Sequence, residues 1–174
     1  MRNSSHILSA FLVFLFLSTS AHANQADAIL GRWLTEKGEA VFEIGKTGEK
    51  YVGKIVWLQE PTYDDDDKEA GKPVRDREHP DPEKRNQPIV GSCPLNGFEY
   101  TADNTWSKGT IYNADNGKTY KATLSLTEDG QLKVHGYIGI SLIGGSTHWT
   151  RCEKLPEGRA KEAKPGKDQG KREP

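Results

Sequence analysis

The sequence predicts an all-β protein, folded as an antiparallel up-and-down barrel of about eight strands. Apolar and polar residues alternate with a period of two in short segments along the chain, as expected of strands with one buried face. Tight-turn residues join these segments, most clearly at Asn116-Gly117. The segments follow one another as hairpins, and this order favours an up-and-down barrel over a sandwich. No segment has a convincing helical periodicity.

Turn residues set the limits of the predicted strands. Lys37-Gly38 and Thr47-Gly48-Glu49 end the first two strands. Asn116-Gly117 and Glu128-Asp129-Gly130 separate three later ones. The predicted strands cover residues 29–35, 40–46, 50–59, 105–113, 118–127, 131–139 and 147–153, with one more short strand within 88–101.

The inner face of this barrel is predicted to be aromatic and aliphatic, with small residues between. Such a face is typical of a barrel that is packed solid or holds a modest apolar cavity, and the sequence leaves both alternatives open. If a cavity exists, we expect its ligand to contact the aromatic residues of the inner face and an aliphatic residue of the last loop. The candidates are Trp33, Phe42, Tyr51, Trp57, Tyr120 and Leu142.

Residues 1–23 have the features of a secretory signal peptide. Arg2 provides the positive start, residues 7–17 form an apolar run, and Ala21-His22-Ala23 is a small-residue cleavage site. The apolar run is too short to span a bilayer comfortably. We therefore expect a soluble barrel domain over residues 24–154, either periplasmic or secreted.

The charge balance argues against some classes of partner. Arg2 is the only charged residue in 1–23, so the remaining chain holds 23 basic and 25 acidic residues, a net charge of −2. Neither nucleic acid nor an anionic membrane is favoured by that balance. The partners that we expect are a small hydrophobic ligand or a protein of the envelope.

Two segments fall outside the predicted barrel strands. The insert 60–87 is rich in charged residues and proline, and we expect a long exposed loop that crosses one barrel mouth or lies along the wall. Its run Asp64–Asp67 lacks the spacing of a calcium loop and is interpreted as solvated charge, so no metal is expected. The tail 155–174 has no aromatic residue and is predicted to be disordered.

The two cysteines are Cys93 and Cys152. Export would place them in an oxidising compartment, where a single disulfide between them is plausible. The alternative is two separate thiols. Two cysteines are too few for a zinc site of four thiolates.

No group of residues indicates an enzyme. His135 and His148 lie on neighbouring predicted strands, but the pattern does not place them on one face. Ser141 and Ser146 flank a glycine-rich turn without the nucleophile elbow of a serine hydrolase. We therefore expect neither catalytic residues nor a cofactor.

Residues on the first and last predicted strands resemble those of the lipocalins. Gly31-Arg32-Trp33 on the first strand is similar to the G-x-W motif of that group, and Arg151 lies on the last strand, where lipocalins place an arginine across the tryptophan. The first and last strands of a closed barrel are neighbours, so a guanidinium can stack on the indole. The resemblance implies structural roles for Gly31, Trp33 and Arg151.

Over residues 27–153 the chain also resembles the domain of unknown function 2147 family of small exported bacterial proteins. The matching stretches are 29–33, 51–58, 79–91, 109–126 and 136–151. His79, Gln87 and Gly145 depart from the residues expected at those places. The activity of that family is not established, so the resemblance implies no catalytic residue.

These observations give two hypotheses for function. The first is an exported lipocalin-like protein that binds a small apolar ligand inside the barrel. The second is a filled barrel that acts through protein contacts on its surface. A cavity above about 300 Å³ favours the first hypothesis.

Overall fold

The computed structural model describes residues 25–157. The predicted signal peptide lies outside the described residues, as does the tail beyond residue 157. Eight strands account for most of the described chain. They are β1 (Gly31–Leu34), β2 (Ala40–Thr47), β3 (Lys50–Leu58), β4 (Leu95–Ala102), β5 (Thr105–Asn113), β6 (Lys118–Leu126), β7 (Leu132–Tyr137) and β8 (Gly144–Arg151).

Each strand pairs antiparallel with the next, and β8 returns to β1, so the sheet is a closed up-and-down barrel. The predicted fold class is confirmed. Two short 3-10 helices, Asp27–Ile29 and Pro82–Lys84, lie before β1 and within the insert. No helix in residues 25–157 is long and apolar enough to cross a membrane.

The segment before β1 closes one end of the barrel. Its backbone carbonyls accept hydrogen bonds from buried indoles: Trp33 Nε1 donates to Ile29 O over 2.8 Å, and Trp106 Nε1 donates to Ala26 O over 3.0 Å. The Tyr51 hydroxyl donates to Asp27 at 2.6 Å. The polar atoms of these three buried side chains therefore all have partners, as burial requires.

Arg151 fixes the same end from the last strand. Its guanidinium lies 4.3 Å from the centre of the Trp33 ring, the contact that the sequence predicts. Its two terminal nitrogens donate to Leu30 O and Ala28 O over 2.9 and 2.6 Å. Gly31 has a φ of +114°, which strains any other residue, and a Cβ there would lie 3.0 Å from the Arg151 guanidinium and would crowd it.

The half of the barrel next to this closed end is filled by its own side chains. Glycines on the inner face make room for large neighbours: a Cβ at Gly109 would lie 2.3 Å from the Phe98 ring, and one at Gly53 would lie 2.7 Å from Leu95. The filling residues are Trp33, Ile44, Tyr51, Leu95, Phe98, Trp106, Leu124 and Leu132, all at most 3% exposed.

The predicted inner face of β3 is wrong at Trp57. Phe42 is paired with Ile55 but Val41 is paired with Trp57, so Val56 is an extra residue in β3. Directly paired residues share a face, and Val41 lies on the face opposite to Phe42. The bulge thus turns Trp57 out of the barrel, and Leu58 packs on the core instead.

The insert between β3 and β4 is ordered by ion pairs. Arg77 donates two hydrogen bonds to Asp67, at 2.7 and 2.8 Å, and one to Glu69 at 2.8 Å. Arg75 also pairs with Glu69, and Arg77 lies 3.7 Å from the centre of the Tyr63 ring. The Asp64–Asp67 run was predicted to be solvated charge. This prediction is wrong for Asp67, because its carboxylate is bound by Arg77.

The prediction of a disulfide between Cys93 and Cys152 is wrong, because both cysteines are free. Cys93 lies just before β4, and Cys152 follows the end of β8 and donates its backbone N–H to Arg32 O. In the up-and-down order these positions are at opposite ends of the barrel. The two thiols have no geometry for a bond.

We expect the change Arg151→Ala to lower the free energy of unfolding by about 1–3 kcal/mol, because it removes the stack on Trp33 and two hydrogen bonds. Urea denaturation measures this change. Arg32→Ala is the matched control, since its partner Glu43 is a surface carboxylate and the loss there is below about 0.5 kcal/mol. Equal losses in the two variants would contradict the assigned role of Arg151.

The ion pairs of the insert make the carboxyl group of Glu69 unusually acidic. Hydrogen bonds from Arg75 and Arg77 lower the pKa of Glu69 from 4.5 to about 2. A depressed carboxyl pKa stabilises the fold above the unfolded pKa, and this contribution is lost as the pH falls through about 2. Carboxyl ¹³C NMR should find this titration, and Arg75→Gln should raise the pKa of Glu69. Lys84→Gln, elsewhere in the insert, should leave it unchanged; a wild-type pKa near 4.5 would contradict the pairing.

Candidate functional site

The end of the barrel opposite the Trp33–Arg151 closure holds an open cavity of about 640 Å³. Its walls come from β2, β3, β5, β6, β7 and β8, so most of the sheet contributes to it. The volume lies within the range of small-molecule sites. The barrel therefore has a filled half and an open half.

The inner walls of the cavity are mainly apolar. Phe42 and Trp149 form one side, with ring centres 4.5 Å apart and ring planes tilted by 30°. Gly136 widens the space because it places no side chain between Ile111 and Tyr120. The apolar wall consists of Ala40, Phe42, Ile55, Ile111, Tyr120, Val134, Gly136 and Trp149.

The mouth of the cavity is polar and mostly acidic. It is formed by the β1–β2 turn, the β5–β6 turn, the start of β8, Asp76 of the insert and the segment that leads from the insert to β4. Asp76 thus places part of the insert at a barrel mouth. The charged residues that line the mouth are Glu36, Lys37, Glu39, Asp76 and Asp115.

Asp76 differs from the other charged residues of the mouth because it is buried. Only 8% of the residue is exposed, and no other polar or charged residue in 25–157 reaches the same burial. The Tyr112 hydroxyl donates to Asp76 Oδ1 over 2.8 Å, and His79 packs on the Tyr112 ring with a centre distance of 5.4 Å. Burial and the hydrogen bond to Asp76 raise the pKa of Tyr112 to about 12, so this hydroxyl remains a donor at neutral pH.

A family model described as an uncharacterized protein conserved in bacteria (DUF2147) matches residues 31–151. These residues run from the start of β1 to the end of β8, so the match covers the whole barrel. The chain belongs to the DUF2147 family. The resemblance noted in the sequence is confirmed by this match.

The barrel of this DUF2147 protein is similar to a solved lipocalin-family structure. That structure is the protein HP1028 from Helicobacter pylori, described as belonging to the lipocalin family. The TM-score is 0.60 at 19% sequence identity, and the match covers 71% of this chain and 82% of the other. At this identity the match shows a shared fold. Comparison with curated proteins finds no match.

Two of the six ligand-binding candidates predicted in this DUF2147 protein lie on the cavity wall, namely Phe42 and Tyr120. The other four lie elsewhere. Trp33 and Tyr51 are at the closed end, where their polar atoms bond to the segment before β1. Trp57 is outside the barrel because of the β3 bulge, and Leu142 is 89% exposed on the β7–β8 loop.

Sequence reasoning missed Trp149 and Asp76. Trp149 pairs directly with Leu132, which is buried in the core, so the register of β7 and β8 would have indicated its position. Asp76 gave no such signal. It lies in an insert without periodicity, where a charged residue is normally expected to be solvated.

The two histidines of β7 and β8 are not directly paired in this DUF2147 protein. His135 is paired with Ser146, and His148 with Lys133, so the two histidines do not face each other across the strands. His135 bonds instead to Ser146 Oγ and Ser141 O, at 2.9 and 2.8 Å. Residues 25–157 also contain no group of three or more side chains arranged to hold a metal ion.

Proposed function

We propose that this protein is an exported, lipocalin-like binding protein that holds a small, largely apolar ligand in the barrel cavity. The observation that supports it most is the 640 Å³ cavity with apolar walls, one open mouth and one closed end. Export is inferred from the features of residues 1–23, and a periplasmic or secreted location follows from it.

The position of the cavity supports a binding role over a packing defect. Its walls are rigid strands of a closed sheet, so the site exists before any ligand arrives. Phe42 and Trp149 offer a broad aromatic surface for an apolar ligand. The proposed role is non-enzymatic, as expected of a barrel similar in fold to a lipocalin-family structure.

A second candidate function is a protein contact made by the β7–β8 loop. Four aliphatic side chains of this loop project into solvent: Ile138, Ile140, Leu142 and Ile143 are between 61% and 89% exposed. A concentration of exposed aliphatic side chains on one loop is typical of an interaction site. This observation supports an envelope protein as partner, and it is compatible with a cavity in the same barrel.

Filling the cavity tests the first function. We expect Gly136→Leu to fold normally, because a Cβ there meets only ordinary contacts at 3.5 Å or more, and to lower the affinity for the neutral dye N-phenyl-1-naphthylamine at least about tenfold. Fluorescence titration measures the affinity.

Gly45→Leu is the matched control for this change. Gly45 lies on the outer face of β2 and has open space around it, so the same side chain is added outside the barrel. The proposal is wrong if wild-type protein does not bind the dye, or if both variants bind it as wild type does.

The proposed protein contact of the β7–β8 loop is tested by replacing two of its exposed aliphatic side chains. The double change Ile140→Asp with Leu142→Asp should abolish retention of an envelope protein on immobilised protein, because charge replaces two apolar contacts. Gly136→Leu should retain that partner. Quantitative mass spectrometry of the captured proteins measures both, and equal capture by wild type and the double variant would exclude the loop as the contact.

A further inference from the structure

We propose that the cavity selects amphipathic amines, molecules with an apolar body and a cationic ammonium head that pairs with Asp76. This inference rests on the proposed function and names the ligand class for the same cavity. It depends on a buried carboxylate at the polar mouth of a cavity whose inner walls are mainly apolar.

Asp76 lacks a cationic partner. Its carboxylate accepts one hydrogen bond, from the Tyr112 hydroxyl, and no lysine, arginine or histidine in residues 25–157 lies within ion-pair distance of it. Elsewhere in the same insert, Asp67 and Glu69 are each paired with arginine. A buried carboxylate without a cation is costly unless a ligand supplies the missing charge.

Asp76 lies where a ligand in the cavity can contact it. The residue lines the cavity together with Ile89 and Ser92, which lie between the insert and β4, and with Tyr112 of β5. The aromatic rings of Phe42 and Trp149 line the same cavity. A bound molecule thus meets a carboxylate at the mouth and apolar side chains further in, which is the arrangement that orients an amphipathic ligand.

The remaining charges of the mouth favour the same head group. Glu36, Glu39 and Asp115 also line it, and Lys37 is its only basic residue among those described. The resulting negative potential attracts a cation and repels a carboxylate head. A fatty acid of the same size is therefore disfavoured, although it would present the same apolar body.

Three probes with one apolar chain and different heads test this proposal: dodecylamine, dodecanol and lauric acid, each at pH 7 below its aggregation concentration. Isothermal titration calorimetry of the full mature chain should rank dodecylamine first and lauric acid last, with a difference of at least about tenfold in Kd. Lauric acid binding as tightly as dodecylamine would overturn the proposal, whatever the variants do.

Asp76→Asn removes the charge with almost no change in size. We expect it to weaken dodecylamine binding about tenfold or more and to leave dodecanol affinity within about twofold. Asp103→Asn is the matched control, because it removes one exposed aspartate charge on the β4–β5 turn, outside the cavity lining, and should change dodecylamine affinity by less than about threefold.

The outcomes separate the two proposals. Binding of dodecanol without a preference for dodecylamine, or unchanged dodecylamine affinity in Asp76→Asn, overturns the amine assignment and leaves the cavity as a binding site. Equal loss of dodecanol and dodecylamine in that variant assigns Asp76 a structural role and also overturns the inference. Failure of all three probes to bind the wild-type protein overturns the cavity function itself.

Discussion

The stack of the Arg151 guanidinium on the Trp33 indole joins the last strand of the barrel to the first, and the rest of the molecule depends on this closure. β1 is only four residues long and pairs with β8 at two positions, so the ladder between them is short. The side-chain contact compensates for that short ladder. It also carries two hydrogen bonds to the segment before β1, which covers the barrel end.

Closure at one end explains why the cavity lies at the other. Large aromatic residues, with Trp33 and Trp106 fully buried, fill the closed half, and inward glycines make that packing possible. In the open half, Gly136 leaves space that no neighbouring side chain fills. The insert then supplies part of the mouth and adds the buried carboxylate of Asp76. The ion pairs of Arg77 join residues within the insert, and the hydrogen bond from Tyr112 to Asp76 joins the insert to β5.

Most of the fold could be predicted from the sequence, because burial of one strand face imposes a period of two that is visible in a single chain. The contact between Trp33 and Arg151 was implied by the resemblance to the lipocalins, and the barrel order makes it possible because the first and last strands are neighbours. The position of Trp57 could not be predicted, since one extra residue in β3 reverses its face without changing the local pattern. Asp76 could not be predicted either, because its burial depends on how the insert packs against Tyr112.

The central claim is that one barrel end is closed by packing and the other holds space for a ligand. A crystal structure of the protein grown with 1-bromododecane tests it most directly, because the bromine can be located by its anomalous signal. The account predicts a bromine peak inside the cavity between Phe42, Val134 and Trp149, with Trp33 and Arg151 still stacked. Side chains filling that space, with no bromine among them, would contradict it.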